Sequence, residues 1–187
     1  MIEASRRSVL KAGIMLGLGC SLGSRGVAAQ SDRAVVRPEE GDLLVRFGDA
    51  NNRPLTPRDI AAGAAQTMAW SMEPGSRTVR SGSRLNQILL LRLDPEMLAA
   101  DTRSRAVDGV VAYTSICTHT GCDVDGWQAA EQLLSCPCHD SIFDPKDGGR
   151  VVDGPAPRVL PALPLKIADG KLVVAKPFTA PIGFEKG

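Results

Sequence analysis

Every cysteine beyond residue 20 and both histidines lie in two short segments, Cys117-Thr118-His119-Thr120-Gly121-Cys122 and Cys136-Pro137-Cys138-His139-Asp140-Ser141. Thirteen residues separate the two, and the fifth cysteine, Cys20, stands far upstream. A random scatter would not crowd all these side chains into 25 residues. Thiolate and imidazole are the ligands of zinc and of iron–sulfur centres. A Cys-x-His pair with a Cys-x-x-His pair therefore suits a structural zinc-binding module as well as an iron–sulfur site. Zinc leaves Cys122 and Cys138 without a role, and Cys-x-His is tighter than the usual zinc-finger spacing.

The remainder of the chain has to hold these two segments together. Its 187 residues fit one domain, or one domain with an inserted subdomain. With 19 Gly, 13 Pro and only 4% aromatics, turns are frequent and the core rests on Val, Leu, Ile and Ala. That favours an all-β fold. Strands are expected over Leu43–Phe47, Gln87–Leu93 and Gly109–Tyr113. Ser141–Asp144 and Arg150–Val152 form one expected hairpin; Leu163–Ile167 and Lys171–Ala175 form another across Asp169-Gly170. Thr56-Pro57 marks a short helix start, and Pro95–Ala100 one or two helical turns. Met68 and Met72 read as a core stripe on a helix. Trp70 and Trp127 read as packing aromatics, and Arg77, Arg80 and Arg84 as a solvated face. Residues 30–42 are polar and read as a linker.

The first 29 residues are of another kind. Ser5-Arg6-Arg7-Ser8-Val9-Leu10-Lys11 is a twin-arginine pattern, followed by an apolar run from Ala12 to Gly23 and by small residues at Val27-Ala28-Ala29. The run is about 12 residues, against roughly 20 for a membrane-spanning helix. A cleaved export signal is the expectation, with a retained anchor as the alternative. Cleavage would leave 18 basic against 20 acidic residues, a formal charge of −2 in place of +1. Neither value gives a nucleic-acid footprint. The twin-arginine route carries folded proteins, so a cofactor could be loaded before export to the periplasm or the periplasmic face of the inner membrane.

The two motifs resemble those of the Rieske [2Fe–2S] proteins of the high-potential, disulfide-containing kind. The match covers residues 117–157, and a looser likeness runs from about Leu85 to the C-terminus. The resemblance implies a Rieske fold, an antiparallel β-sandwich base with a small cluster-binding subdomain at about 114–157 inside a domain spanning 43–187. It implies that Cys117 and Cys136 bind one iron and His119 and His139 the other, and that Cys122 and Cys138 form a disulfide, as an oxidising compartment permits. Gly154-Pro155-Ala156-Pro157 corresponds to the proline-rich loop covering the cluster, and Ser141 to a serine that donates to a bridging sulfide. Replacing two thiolates by neutral imidazoles makes the oxidised centre formally neutral, so it accepts an electron more readily.

Three positions depart from the quinol-oxidising members. Phe143 stands where a tyrosine often donates to a ligand thiolate. Thr120 replaces an apolar residue, and Asp140 replaces a frequent glycine. The resemblance thus implies an exported one-electron carrier, not catalytic alone, serving as subunit or partner of a periplasmic oxidoreductase, as in the arsenite oxidase small subunit. The alternative is the iron–sulfur subunit of a quinol–cytochrome c reductase, with cytochrome b/c1, a c-type cytochrome and quinol as partners. A ring-hydroxylating oxygenase is excluded, because no histidine remains for its second iron site. A nucleophilic-cysteine enzyme is disfavoured for want of a free base.

Overall fold

The computed structural model describes residues 32–184; the twin-arginine segment and Cys20 lie outside the described residues. The architecture is nearly all β. Among the described residues ten strands run in chain order: β1 Leu43–Arg46, β2 Thr67–Met72, β3 Ile88–Arg92, β4 Val110–Thr114, β5 Gly126–Gln128, β6 Leu133–Cys136, β7 Ser141–Asp144, β8 Arg150–Asp153, β9 Leu165–Ala168 and β10 Lys171–Val174. Six form one sheet in the order β4-β3-β2-β1-β10-β9, and β5-β6-β7-β8 form a second. All the pairings are antiparallel. No helix among the described residues is long and apolar enough to cross a membrane.

The run Ile88-Leu89-Leu90-Leu91 explains how two cores share one sheet. A strand apolar at every position must be covered on both faces. Leu89 and Leu91, with Val111 and Tyr113 of β4, pack against Leu134 and Phe143 of the second sheet. Ile88 and Leu90 face the other way, towards Leu44, Leu163, Leu172 and Val174. The first of these cores also contains Cys117 and Cys136, so the metal motifs sit on its edge. Asp169 and Gly170 both take positive φ, 50° and 74°, which closes the two-residue turn between β9 and β10.

Several sequence expectations change. Met68 and Met72 lie on β2, not on a helix. A spacing of four is even, so it also places two side chains on one face of a strand. Pro57–Asp59 is one 3-10 turn, stopped at once; the Asp59 carboxylate accepts from the Thr56 N–H and hydroxyl, both at 2.8 Å. Pro95–Met97 is another such turn, followed by one α-helical turn at Ala100–Arg103.

Part of the expected linker is tied to the body. Asp42 is 2% exposed and Arg80 4%. The Arg80 Nε donates to Asp42 at 2.6 Å and its Nη2 to Glu39 at 2.6 Å. Arg80 is therefore a buried cation, not part of a solvated face. Beside it, the fully buried Asn86 donates to the carbonyls of Val36 and Arg80 at 2.7 and 3.0 Å and accepts from Arg37 at 2.8 Å. These bonds fasten residues 36–42 to the large sheet. Trp70 stacks on exposed Phe47 with centroids 5.3 Å apart, while Trp127 packs on the edge of the first core.

Candidate metal centre

Two loops carry the motifs. The first leaves β4 at Thr114 and folds back tightly: the Cys117 N–H donates to the Cys122 carbonyl at 2.8 Å, and the Val124 N–H to Ser115 at 2.7 Å. The second is the connection between β6 and β7, Pro137-Cys138-His139-Asp140, with Cys136 paired directly to Ser141. Asp140 takes a positive φ of 57° to make that turn, a conformation that aspartate tolerates better than most residues.

A disulfide joins Cys122 of the first loop to Cys138 of the second, with Cα atoms 6.5 Å apart. The other two cysteines of the motifs, Cys117 and Cys136, are free thiols, each 1% exposed. They are neighbours, and burial foremost pushes the Cys136 thiol up to about 11, while the Cys138 backbone N–H pulls the other way. Burial thus disfavours the Cys136 thiolate unless a cation sits beside it. The His119 and His139 rings stand edge to face, 4.7 Å between centroids. His119 is half-buried and His139 exposed. The sulfurs of Cys122, Cys136 and Cys138 all lie within 4.8 Å of one another, yet two of the three are spent in the disulfide and cannot serve as thiolates.

Two buried polar atoms here have no protein partner, His119 Nδ1 and Ser141 Oγ. Orphaned buried groups are costly and rare. A buried imidazole nitrogen with no protein partner fits a metal ligand, and the hydroxyl of Ser141, the strand partner of Cys136, fits a donor to an inorganic sulfide. The donor set therefore suits an iron–sulfur cluster. It suits tetrahedral zinc less well, because zinc brings no acceptor for Ser141.

The third loop closes over the second. Gly154 has φ +84°, and a Cβ there would lie 2.5 Å from Ser141 Cα and 2.6 Å from the Asp140 carbonyl oxygen. Ala156 is buried in the first core, while Pro155 is exposed at the rim. Gly154→Ala should therefore cost about 1–3 kcal/mol in backbone strain alone, with the clash in addition. Thermal unfolding should show a lower Tm, and an unchanged Tm would mean that the loop does not press on Ser141.

Phe143 is fully buried between the sheets, filling the first core with a ring that has no hydroxyl to offer. Three supports of the site carry no sequence motif. The Thr118 hydroxyl, on a fully buried residue, donates to the Arg158 carbonyl at 2.7 Å. The Arg158 guanidinium in turn grips the tail at the Pro181 and Gly183 carbonyls. Arg84 braces the first loop, donating to the Gly121 carbonyl and to Asp123, both at 2.7 Å.

Residues 85–164 match the model of the Rieske [2Fe–2S] domain. The cytochrome bc1 complex Rieske iron–sulfur subunit of Streptomyces lividans is 34% identical over 148 residues, which cover 77% of this chain and 85% of that protein. The subunit of the same name from Streptomyces coelicolor is also 34% identical over 148 residues, but there they span only 41% of its length. The soluble domain of Rieske protein II from Sulfolobus acidocaldarius superposes with a TM-score of 0.42 at 21% identity, covering 81% of this chain and 82% of that one.

Proposed function

Since the chain belongs to the Rieske family of [2Fe–2S] electron carriers, we propose that it is the exported iron–sulfur subunit of a quinol–cytochrome c reductase of the bc1 type. In this reading Cys117 and Cys136 would hold one iron of the cluster and His119 and His139 the other. Residues 1–29 are its twin-arginine signal or anchor, and residues 43–187 its Rieske domain on the periplasmic side, with the cluster-binding part at about 114–157. The observation that carries the electron-transfer reading is the polarity of the site: two thiols buried in the core, two imidazoles at the solvent edge.

The bound cluster supplies one-electron chemistry at a potential of about −150 to +300 mV, the range for centres with two histidine ligands. The chain's own residues set the conditions. Leu134 and Phe143 exclude water behind the cysteines. The disulfide holds the two loops at a fixed separation. His139, exposed at the tip, offers the edge through which an electron reaches a partner in contact.

Ser141 tunes the potential. Its hydroxyl, which has no protein partner, would stabilise the more negative, reduced cluster, so Ser141→Ala should lower the midpoint. A hydrogen bond to a charged group is worth about 1.5–3 kcal/mol, or roughly 65–130 mV for one electron. Voltammetry of the purified variant reads this directly, and a shift near zero would remove Ser141 from the cluster's surroundings. Phe143→Tyr should raise the potential by less.

The bc1-type assignment rests on relatives named for that complex. Exposed Thr120 and Asp140 at the tip favour a second reading, the electron partner of a periplasmic oxidoreductase, because both make the docking end more polar than a quinol pocket requires. Purifying the tagged chain from its own membranes in mild detergent separates the two. Co-purifying b- and c-type haem supports the first, and molybdenum without b-type haem supports the second.

A further inference from the structure

We propose that the site without its cluster is a thiol–disulfide exchange centre, in which the Cys136 sulfur displaces Cys138 from Cys122 and removes itself from the ligand set. This rests on the reading above, in which the cluster occupies Cys136. The geometry comes from the three sulfurs within 4.8 Å of one another, one a free thiol and two already bonded. Exchange proceeds by attack of a thiolate on a disulfide sulfur within reach, so Cys136 must first lose its proton. In the holoprotein iron holds Cys136, and no attacker is available.

The step balances without an oxidant. A Cys136–Cys122 bond forms as the Cys122–Cys138 bond breaks. Cys136 gives its proton to solvent, and Cys138 takes the electron pair of the broken bond and a proton from solvent. Two thiols are present before the step, Cys117 and Cys136, and two after it, Cys117 and Cys138. Cys122 is the sulfur attacked, because Cys136 and Cys138 flank Pro137 and a bridge between them would close a very short, stiff loop. Cys138 is a good group to release, since it lies on an exposed residue where solvent receives it. Once exchanged, the chain lacks one of its two thiolate ligands. Loss of the cluster thus leaves the native disulfide open to exchange, and the bridge is protected while the cluster holds Cys136.

The test uses the intact holoprotein under strictly anaerobic conditions. Its thiols are alkylated, and disulfides mapped by peptide mass spectrometry, before and after iron is stripped with a chelator. Before stripping, neither Cys117 nor Cys136 should be alkylated; labelling of Cys136 at this stage would overturn the ligand reading itself. After stripping, the expected map is a Cys122–Cys136 bridge with Cys117 and Cys138 labelled. Reloading with iron and sulfide should then fail, and succeed after dithiothreitol. An intact Cys122–Cys138 bridge with Cys117 and Cys136 labelled would overturn the proposal while leaving the ligands standing. A Cys117–Cys136 bridge with no free thiol would also overturn it, since that product requires oxidation.

Discussion

Asp42→Ala should lower the folding stability by about 3–5 kcal/mol, the cost of leaving a buried charge without its partner. Arg80 is 4% exposed, and both Nε and Nη2 donate to Asp42, at 2.6 and 3.1 Å. Glu39 remains as a second acceptor at 2.6 Å, but it is mostly in solvent, so the loss should fall near the lower end of that range. The pair does more than neutralise a charge. It joins the segment entering β1 to the stretch following β2, across 38 positions of sequence. Replacing both partners together, by Asp42→Leu with Arg80→Met, should recover most of the loss, because well-packed apolar groups often substitute for a buried ion pair without penalty. Denaturant unfolding of the single and double variants measures both effects. A single-variant loss under about 1 kcal/mol would mean that Arg80 reaches water in solution.

The double variant Cys122→Ser with Cys138→Ser should keep all four proposed ligands and hold the cluster poorly. The bridge closes a loop with its ends 16 positions apart, and such a crosslink is worth about 2–4 kcal/mol. That corresponds to about a 30- to 700-fold shift towards the open arrangement of the two loops. The first loop would keep its own hydrogen bonds and the Arg84 brace, and the second its β6–β7 pairing. Neither set joins one cluster loop to the other. Visible absorbance should therefore bleach faster on heating, by a factor within that range. Bleaching at the parental rate would mean that the sheet alone aligns the loops.

The chain's local features are legible in its residue types. Asp169-Gly170 marks a two-residue turn, and Ile88-Leu89-Leu90-Leu91 marks a strand buried on both faces. The cysteines and histidines announce a metal site by their crowding, and the fold does bring the two segments together, joined by Cys122 and Cys138. Features made by distant partners are not legible in this way. Nothing in the sequence near Arg80 names Asp42, so an arginine in a basic run reads as solvated. Thr118 and Arg158 meet across 40 positions, and Arg158 reaches another 23 to 25 to the tail. The strand at Thr67–Met72 is hidden for a different reason. Its Ser71 is fully buried, which breaks the polar–apolar alternation, and the even spacing of its methionines fits either periodicity. The sheet order, with β1 between β2 and β10, likewise follows from closure over the two cores and not from any single strand's composition.

Everything proposed for this protein depends on its carrying one [2Fe–2S] cluster. Metal and acid-labile sulfide analysis of the purified, loaded protein tests that most directly. The expected result is two irons and two sulfides per chain with no zinc. About one zinc per chain with no sulfide would contradict it.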